Sequence, residues 1–255
     1  MLAMDNDNFG TPYSEKDIVI SPRRGKHEKQ IPASGILLVN PPDAQYAITR
    51  LLSEGGELRS IYHTQLCIHS TGRFFIAGPA VSAPIAVMAA EKLIALGARS
   101  IYLFSCCGAI SPELKIGDIV VGAVPQAGEG TSQYYVCDRP NLPSKNSAER
   151  LLTAAQQISQ QSRLGNIWTT DAPYRESRYW LNEQLIRNQV VGIDMEYSAL
   201  CSICNFRAIR FAGIFVISDE LWRERWVPGF KNAEFLSVGR KIIHLLLDPK
   251  FHEDR

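Results

Sequence analysis

The chain has no long apolar run, no excess of charge of either sign and no cluster of metal ligands. Each absence removes a class of function. No stretch reaches the ~20 consecutive apolar residues that a membrane-crossing helix needs, so no membrane partner is expected. Lys+Arg total 27 against 26 Asp+Glu, a formal net charge of +1 that supplies no basic surface for nucleic acid. The five histidines show no ligand spacing, so neither a metal nor another cofactor is expected. Cys67, Cys106, Cys107, Cys137, Cys201 and Cys204 follow no disulfide framework, which points to a reducing, cytoplasmic setting. Cys201-x-x-Cys204 lies inside a helical pattern with no second pair and reads as core. Repeats, low-complexity tracts and Pro/Gly linkers are missing too, which leaves one domain.

What is present suits a large α/β core: 255 residues, 45% hydrophobic and 21% charged. The start, MLAMDNDNFGTPYSEKD, is polar and acidic and lacks the apolar segment of a signal peptide. Residues 1–16 are expected to be mobile and residues 17–255 to form the folded domain.

Buried-strand patterns alternate with helical ones. GILLVN, SIYHTQLCIHS, RFFIAG, SIYLFS, IVVGAV, NIWTT and AIRFAGIFVIS read as strands. DAQYAITRLLSE, SAPIAVMAAEKLIALG, 147–161, 178–187 and VGRKIIHLLLD read as helices, with Ser82 a candidate cap and Gly97 a stop. CCGAISPELKIGD reads as a loop, with the hairpin turn before RFFIAG at Thr71-Gly72. Strands apolar on both faces imply an α/β fold with a central sheet covered on both sides by helices. Ligands then lie outside the carboxyl ends of the strands. Three polar clusters stand at such ends: Ser105–Gly108, Asp194–Glu196 and Ser218–Glu220.

The segment VVGIDMEYSALCSIC places Asp194, Met195 and Glu196 where a buried strand gives way to a helix. A carboxylate accepts from two neighbouring hydroxyls at once, as a ribose 2′,3′-diol offers, and a methionine can pack on a sugar ring. Asp194 reads equally well as a helix N-terminal acid. Asp219 can be a proton donor raised in pKa by burial, or a turn cap; Glu220 reads as solvated.

AGPAVSAPIAVMAAEKLIALGA, CCGAISPELKIGDIVV, GIDMEYSAL and FVISDE, in that order, resemble the nucleoside phosphorylase and nucleosidase superfamily, which includes uridine phosphorylases and hexameric purine nucleoside phosphorylases. The resemblance runs from about Gly35 to the final helix. It implies a mixed sheet partly closed into a barrel, flanked by helices, and cleavage of the N-glycosidic bond of a nucleoside. Met195 and Glu196 map to ribose contacts and Asp219 to the acid at a purine base. Tyr174 and Arg175, in TTDAPYRE, fall where the uridine enzymes recognise the base. Ser105, Cys106 and Gly108 fall in the phosphate region, with inorganic phosphate as co-substrate. The implied assembly is a homodimer or a hexamer of dimers, with sites completed across subunits.

The phosphate half departs from the family pattern. VNPPDAQY replaces a glycine–aspartate loop and its arginine, and neither Pro41 nor Pro42 has an N–H to donate. Leu103 and Cys106 replace two further phosphate contacts. Arg59, entering from a partner subunit, is the expected substitute. Three readings follow: phosphorolysis to free base and sugar 1-phosphate, phosphate-independent hydrolysis, and nucleoside binding without turnover. Purine is favoured over uridine through Asp219. A thiol nucleophile at Cys106-Cys107 is a further alternative.

Overall fold

The computed structural model describes residues 18–253. The segment expected to be mobile, 1–16, lies outside the described residues. The strands are β1 (Ser34–Leu38), β2 (Glu57–Ile61), β3 (Thr64–Ile68), β4 (Phe74–Gly78), β5 (Ser100–Ala109), β6 (Ile119–Gly128), β7 (Arg163–Thr170), β8 (Val190–Asp194), β9 (Arg210–Glu220) and β10 (Val227–Pro228). The helices are α1 (Pro41–Ser53), α2 (Ala83–Leu96), α3 (Lys145–Ile158), α4 (Arg178–Asn188), α5 (Tyr197–Phe206) and α6 (Ala233–Leu246).

All ten strands share one mixed sheet in the order β10-β9-β6-β7-β8-β5-β1-β4-β3-β2. A further parallel pairing of β9 with β5 closes β5, β9, β6, β7 and β8 into a barrel. The β1-β4-β3-β2 wing extends from β5. Successive residues of the wing serve opposite cores. Leu37, Phe75 and Leu103 pack with α2 and α5, whereas Ile36, Leu38, Ile76 and Phe104 pack with α1, α3 and α6. Burial on both faces is why these strands read as unbroken apolar runs.

Three elements differ from the sequence reading. SIYHTQLCIHS is not one strand; it turns at Tyr62-His63 between β2 and β3, with Tyr62 at φ 48°. No Gly, Asn or Pro marks that turn. Cys106–Ala109 belongs to β5 rather than to a loop, because β5 must run long enough to pair with β1, β8 and β9. Glu220 is buried rather than solvated: its carboxylate accepts from Ile116 N at 3.2 Å and pairs with Arg223.

The barrel holds α5 through Tyr197. This fully buried ring packs 5.4 Å from Phe215 and 5.9 Å from Phe211, and its hydroxyl donates to Ala123 O at 2.9 Å. Gly122 leaves the room: a Cβ there would lie 2.4 Å from Tyr197 Cζ. Gly122→Ala is therefore expected to cost about 1–3 kcal/mol by overpacking, read as a lower urea midpoint with unchanged slope.

Candidate active site

The three polar clusters meet at one end of the barrel. Gly108 on β5 pairs with Ile193 on β8 and with Asp219 on β9. The β5–β9 register slips between Cys107 and Gly108, so Ser218 is the extra residue of a bulge. A bulge re-aims the side chains beside it, here Ser218 and Asp219. Gly108 is needed at this place, since a Cβ would stand 3.1 Å from Asp219 Oδ2 and 2.8 Å from Leu221 Cδ1.

Asp194 is a structural acid. Its Oδ1 accepts from Thr169 Oγ1 at 2.6 Å, and its Oδ2 accepts from the amides of Glu196 and Tyr197 at 3.1 and 2.7 Å. It thereby caps the start of α5, as the helix-terminus reading of this residue holds. Thr169 completes the clamp by accepting from Ser198 N at 2.9 Å.

Glu196 is different. It is 2% exposed, and its Oε1 accepts from Ser82 N at 2.6 Å. Ser82 precedes α2 with φ 79°, a left-handed conformation that a non-glycine residue rarely adopts. Its side chain does not cap the helix; its amide instead holds Glu196. Burial, then the charge of Asp194, pushes the Glu196 carboxyl up to about 8, against the pull of the Ser82 and Met195 amides. Burial raises Asp194 as well, but Thr169 and two amides oppose the rise. Burial thus raises the carboxyls of both members of this pair. Met195, half-buried, lies beside it.

Asp219 is 8% exposed and both its oxygens are taken. Oδ1 accepts from Ser218 Oγ at 2.6 Å and Oδ2 from Trp226 Nε1 at 2.7 Å. Cys106 is surrounded by acids. Burial pushes its thiol up to about 12; Ser218 opposes the push, while Glu196, Asp219 and Asp43 add to it. Burial holds Cys107 well above the ordinary thiol value too. Neither is a thiolate near neutrality, so the nucleophilic-cysteine alternative falls.

The remaining expected residues do not enter this mouth in the same way. Ser105 is buried and donates to Cys106 O at 3.3 Å. Tyr174 is 99% exposed and Arg175 is exposed, in a single 3-10 turn after β7. Arg59 lies on β2, at the far edge of the sheet. It donates to both oxygens of Glu57 at 3.0 Å and to the carbonyls of Lys29 and Gln30 at 3.2 and 3.4 Å.

Four residues near the mouth escaped sequence reasoning. Burial, then the charge of Asp219, pushes Glu176 up to about 7. Asp43, at the start of α1, accepts from Asn40 Nδ2 at 2.8 Å, and burial raises it. Arg240 on α6 brings Nη1, buried and without a hydrogen-bond partner, to 3.9 Å from Asp43 Oδ1. Trp226 covers Asp219. Only the acids carried a sequence signal, as charges next to apolar runs. Arg240 and Trp226 reach the mouth through packing of distant segments.

Comparison with known proteins places the chain in a family. The model of a family described as the phosphorylase superfamily matches residues 35–241. A guanosine phosphorylase of Halorubrum lacusprofundi is 27% identical over 159 residues, which is 62% of this chain and 62% of its own length. A DeoD-type purine nucleoside phosphorylase of Brevibacillus brevis is 27% identical over 204 residues, covering 77% of this chain and 86% of its own. A uridine phosphorylase of Thermococcus kodakarensis is 25% identical over 239 residues, covering 86% and 84%. The crystal structure of a Toxoplasma gondii purine nucleoside phosphorylase with immucillin-H superposes with a TM-score of 0.73 at 18% identity, over 86% of this chain and 90% of that one.

Glu196→Gln tests the buried pair. A carboxyl whose folded pKa is raised binds its proton more tightly in the native state. Its stability contribution is then lost as pH rises from the ordinary carboxylate value through about 8. The variant, with nothing to ionise, is expected to have a melting temperature that exceeds wild type at pH 8 by more than at pH 5. An equal difference at both values would contradict a protonated Glu196.

Proposed function

The chain belongs to the phosphorylase superfamily, and from that premise we propose that it cleaves the N-glycosidic bond of a purine ribonucleoside, with inorganic phosphate as acceptor. The observation that carries this reading is that Gly108 pairs with Ile193, three residues before the buried Glu196, and with the buried Asp219, which sets two acids at one barrel mouth. Glu196 accepts from the ribose 2′- and 3′-hydroxyls and Met195 packs on the sugar. Asp219 serves the base: as the C1′–N bond breaks, electrons pass to the purine, which takes a proton at N7. Such proton donation contributes about 100- to 10,000-fold. Phosphate oxygen forms the new bond to C1′, giving free base and sugar 1-phosphate.

Glu176 supports a purine, because its carboxylate can accept from the N–H groups of a 6-oxopurine while Asp219 engages N7. Tyr174 and Arg175, at the rim, order over a bound base in this reading. Ser105, Cys106 and Gly108 form the wall on which the acceptor lies. The unpartnered Nη1 of Arg240 supplies a cation that the family pattern places elsewhere in the chain. Arg59 serves as an acceptor-site cation only across a subunit contact and only by giving up Glu57. The proposed assembly is a homodimer or a hexamer of dimers.

One observation favours water as acceptor instead. Asp219 and Asp43 both act on Cys106, negative charge that opposes a phosphate dianion. The carboxyl of Asp43, held upward by burial, would then take the proton of the attacking water.

Free base released from inosine, guanosine, adenosine and uridine, measured with and without phosphate, decides between these. Phosphorolysis requires phosphate and yields ribose 1-phosphate. Equal rates in phosphate-free buffer identify a hydrolase, and no release with intact binding identifies a binder.

Two variants refine the test. Asp219→Asn is expected to lower kcat by about 100-fold or more while changing nucleoside affinity far less. Loss of affinity with kcat intact would make Asp219 a contact rather than the acid. Arg240→Met is expected to raise the KM for phosphate about tenfold or more by removing a charged donor. An unchanged phosphate KM would remove Arg240 from the acceptor site.

A further inference from the structure

Trp226 has no part in the reaction as described so far, yet its indole N–H holds the acid on which that reaction depends. Trp226 Nε1 donates to Asp219 Oδ2 at 2.7 Å, and Ser218 Oγ donates to Oδ1 at 2.6 Å. Each oxygen thus has a donor before any base arrives. Each oxygen keeps a second lone pair, but a base that reaches Oδ2 from the side of the indole does so only if that donor leaves.

The two donors are not equally free to go. Ser218 is buried, adjacent in sequence and locked into the bulge, and its carbonyl accepts from Gly229 N at 2.8 Å. Trp226 is 57% exposed. Its chain neighbours are fixed, because Val227 and Pro228 pair with Glu220 and Asp219. The ring is therefore the movable part, and Phe230, 6.5 Å away between centroids and itself half-exposed, offers a surface beside it. The loop as a whole is tied down: Trp222 Nε1 donates to Leu114 O at 3.2 Å, and Arg178 Nη2 donates to Glu224 O at 2.8 Å. That second bond links the segment carrying Glu176 to the segment carrying Trp226.

Indole and purine share the relevant chemistry. Both are planar fused rings of six and five members, and both present an N–H from the five-membered ring once N7 of the purine is protonated. We propose that Trp226 is a displaceable positioning residue: its indole stands in for the leaving purine on Asp219, yields to the base on binding and returns as the base departs. This proposal rests on the nucleoside-cleaving assignment made above. With the free base the exchange replaces one neutral N–H donor to a carboxyl by another, so it costs little affinity while keeping Asp219 oriented in the empty site. It also assists release, because the returning indole competes with the product base.

The test is binding of free hypoxanthine to wild type and to Trp226→Phe, which keeps an aromatic ring and removes the N–H. Without the competing donor, hypoxanthine is expected to bind about threefold to tenfold more tightly, the range of one hydrogen bond. Trp226 also reports directly. Wild-type tryptophan emission is expected to change on saturation with hypoxanthine, and that change is expected to be lost in Trp226→Phe. Ser218→Ala, which removes the donor that stays, is expected to weaken binding instead. Equal or weaker hypoxanthine affinity in Trp226→Phe, or the same emission change in both proteins, would overturn the proposal. Failure of wild type to bind purine bases or to cleave any nucleoside would sink the functional assignment, and the proposal with it. Cleavage and binding with a silent Trp226 would sink the proposal alone.

Discussion

Asp194, Glu196 and Asp219 lie at the apolar end of a closed barrel, where a carboxyl must be hydrogen-bonded, protonated or met by a ligand. The chain uses all three solutions. Asp194 is satisfied by a hydroxyl and two amides and fixes the start of α5. Asp219 is satisfied by Ser218 and by an indole that can move. Glu196 has the Ser82 amide on one oxygen and an unfavourable neighbour in Asp194, and burial holds its carboxyl above the ordinary value. Its other hydrogen-bonding capacity is left for a ligand. The fold supplies the conditions: barrel closure brings β8 and β9 to the two edges of β5, and the bulge at Ser218 sets the aim of Asp219.

The two halves of the mouth are built on different terms. On the side proposed for the nucleoside, the buried acids stand at the end of β8 and on β9. On the acceptor side, prolines begin α1, Asp43 follows them, and Arg240 arrives from α6. Charge there is nearly cancelled rather than strongly positive. That balance sets the affinity for an anionic acceptor, and a single guanidinium decides its sign.

The alternation of buried strands and helices, the meeting of three strand ends and the placement of Met195, Glu196 and Asp219 at those ends were legible in the sequence. The reason is physical: strands buried on both faces leave unbroken apolar runs, and a charge at the end of such a run stands out. The turn at Tyr62-His63 was not legible because it uses no turn-specific residue. The length of β5 was hidden because Cys106–Ala109 looks like a small-residue loop, yet those small side chains are what allow three strands to crowd around it. Glu220 looked solvated because its partner, the Ile116 amide, is 104 positions away in sequence. Arg240 gave no signal for the same reason, since Asp43 stands far from it in sequence. Trp226 is seven positions from Asp219, but the β9–β10 pairing that brings them together leaves no periodic pattern.

The central claim is that Glu196 is a protonated acid kept for a ribose diol. Proton exchange on ligand binding tests it most directly. Calorimetry at pH 7 in buffers of differing ionisation enthalpy, with a purine C-nucleoside whose carbon–carbon glycosidic bond does not break, counts the protons. The account predicts that about one proton is released per site as the two hydroxyls donate to Glu196 and draw it into its ionised form. It also predicts that this release disappears in Glu196→Gln and with the 2′,3′-dideoxy form of the ligand. Binding without proton release, or equal affinity for the ribo and dideoxy ligands, would contradict it.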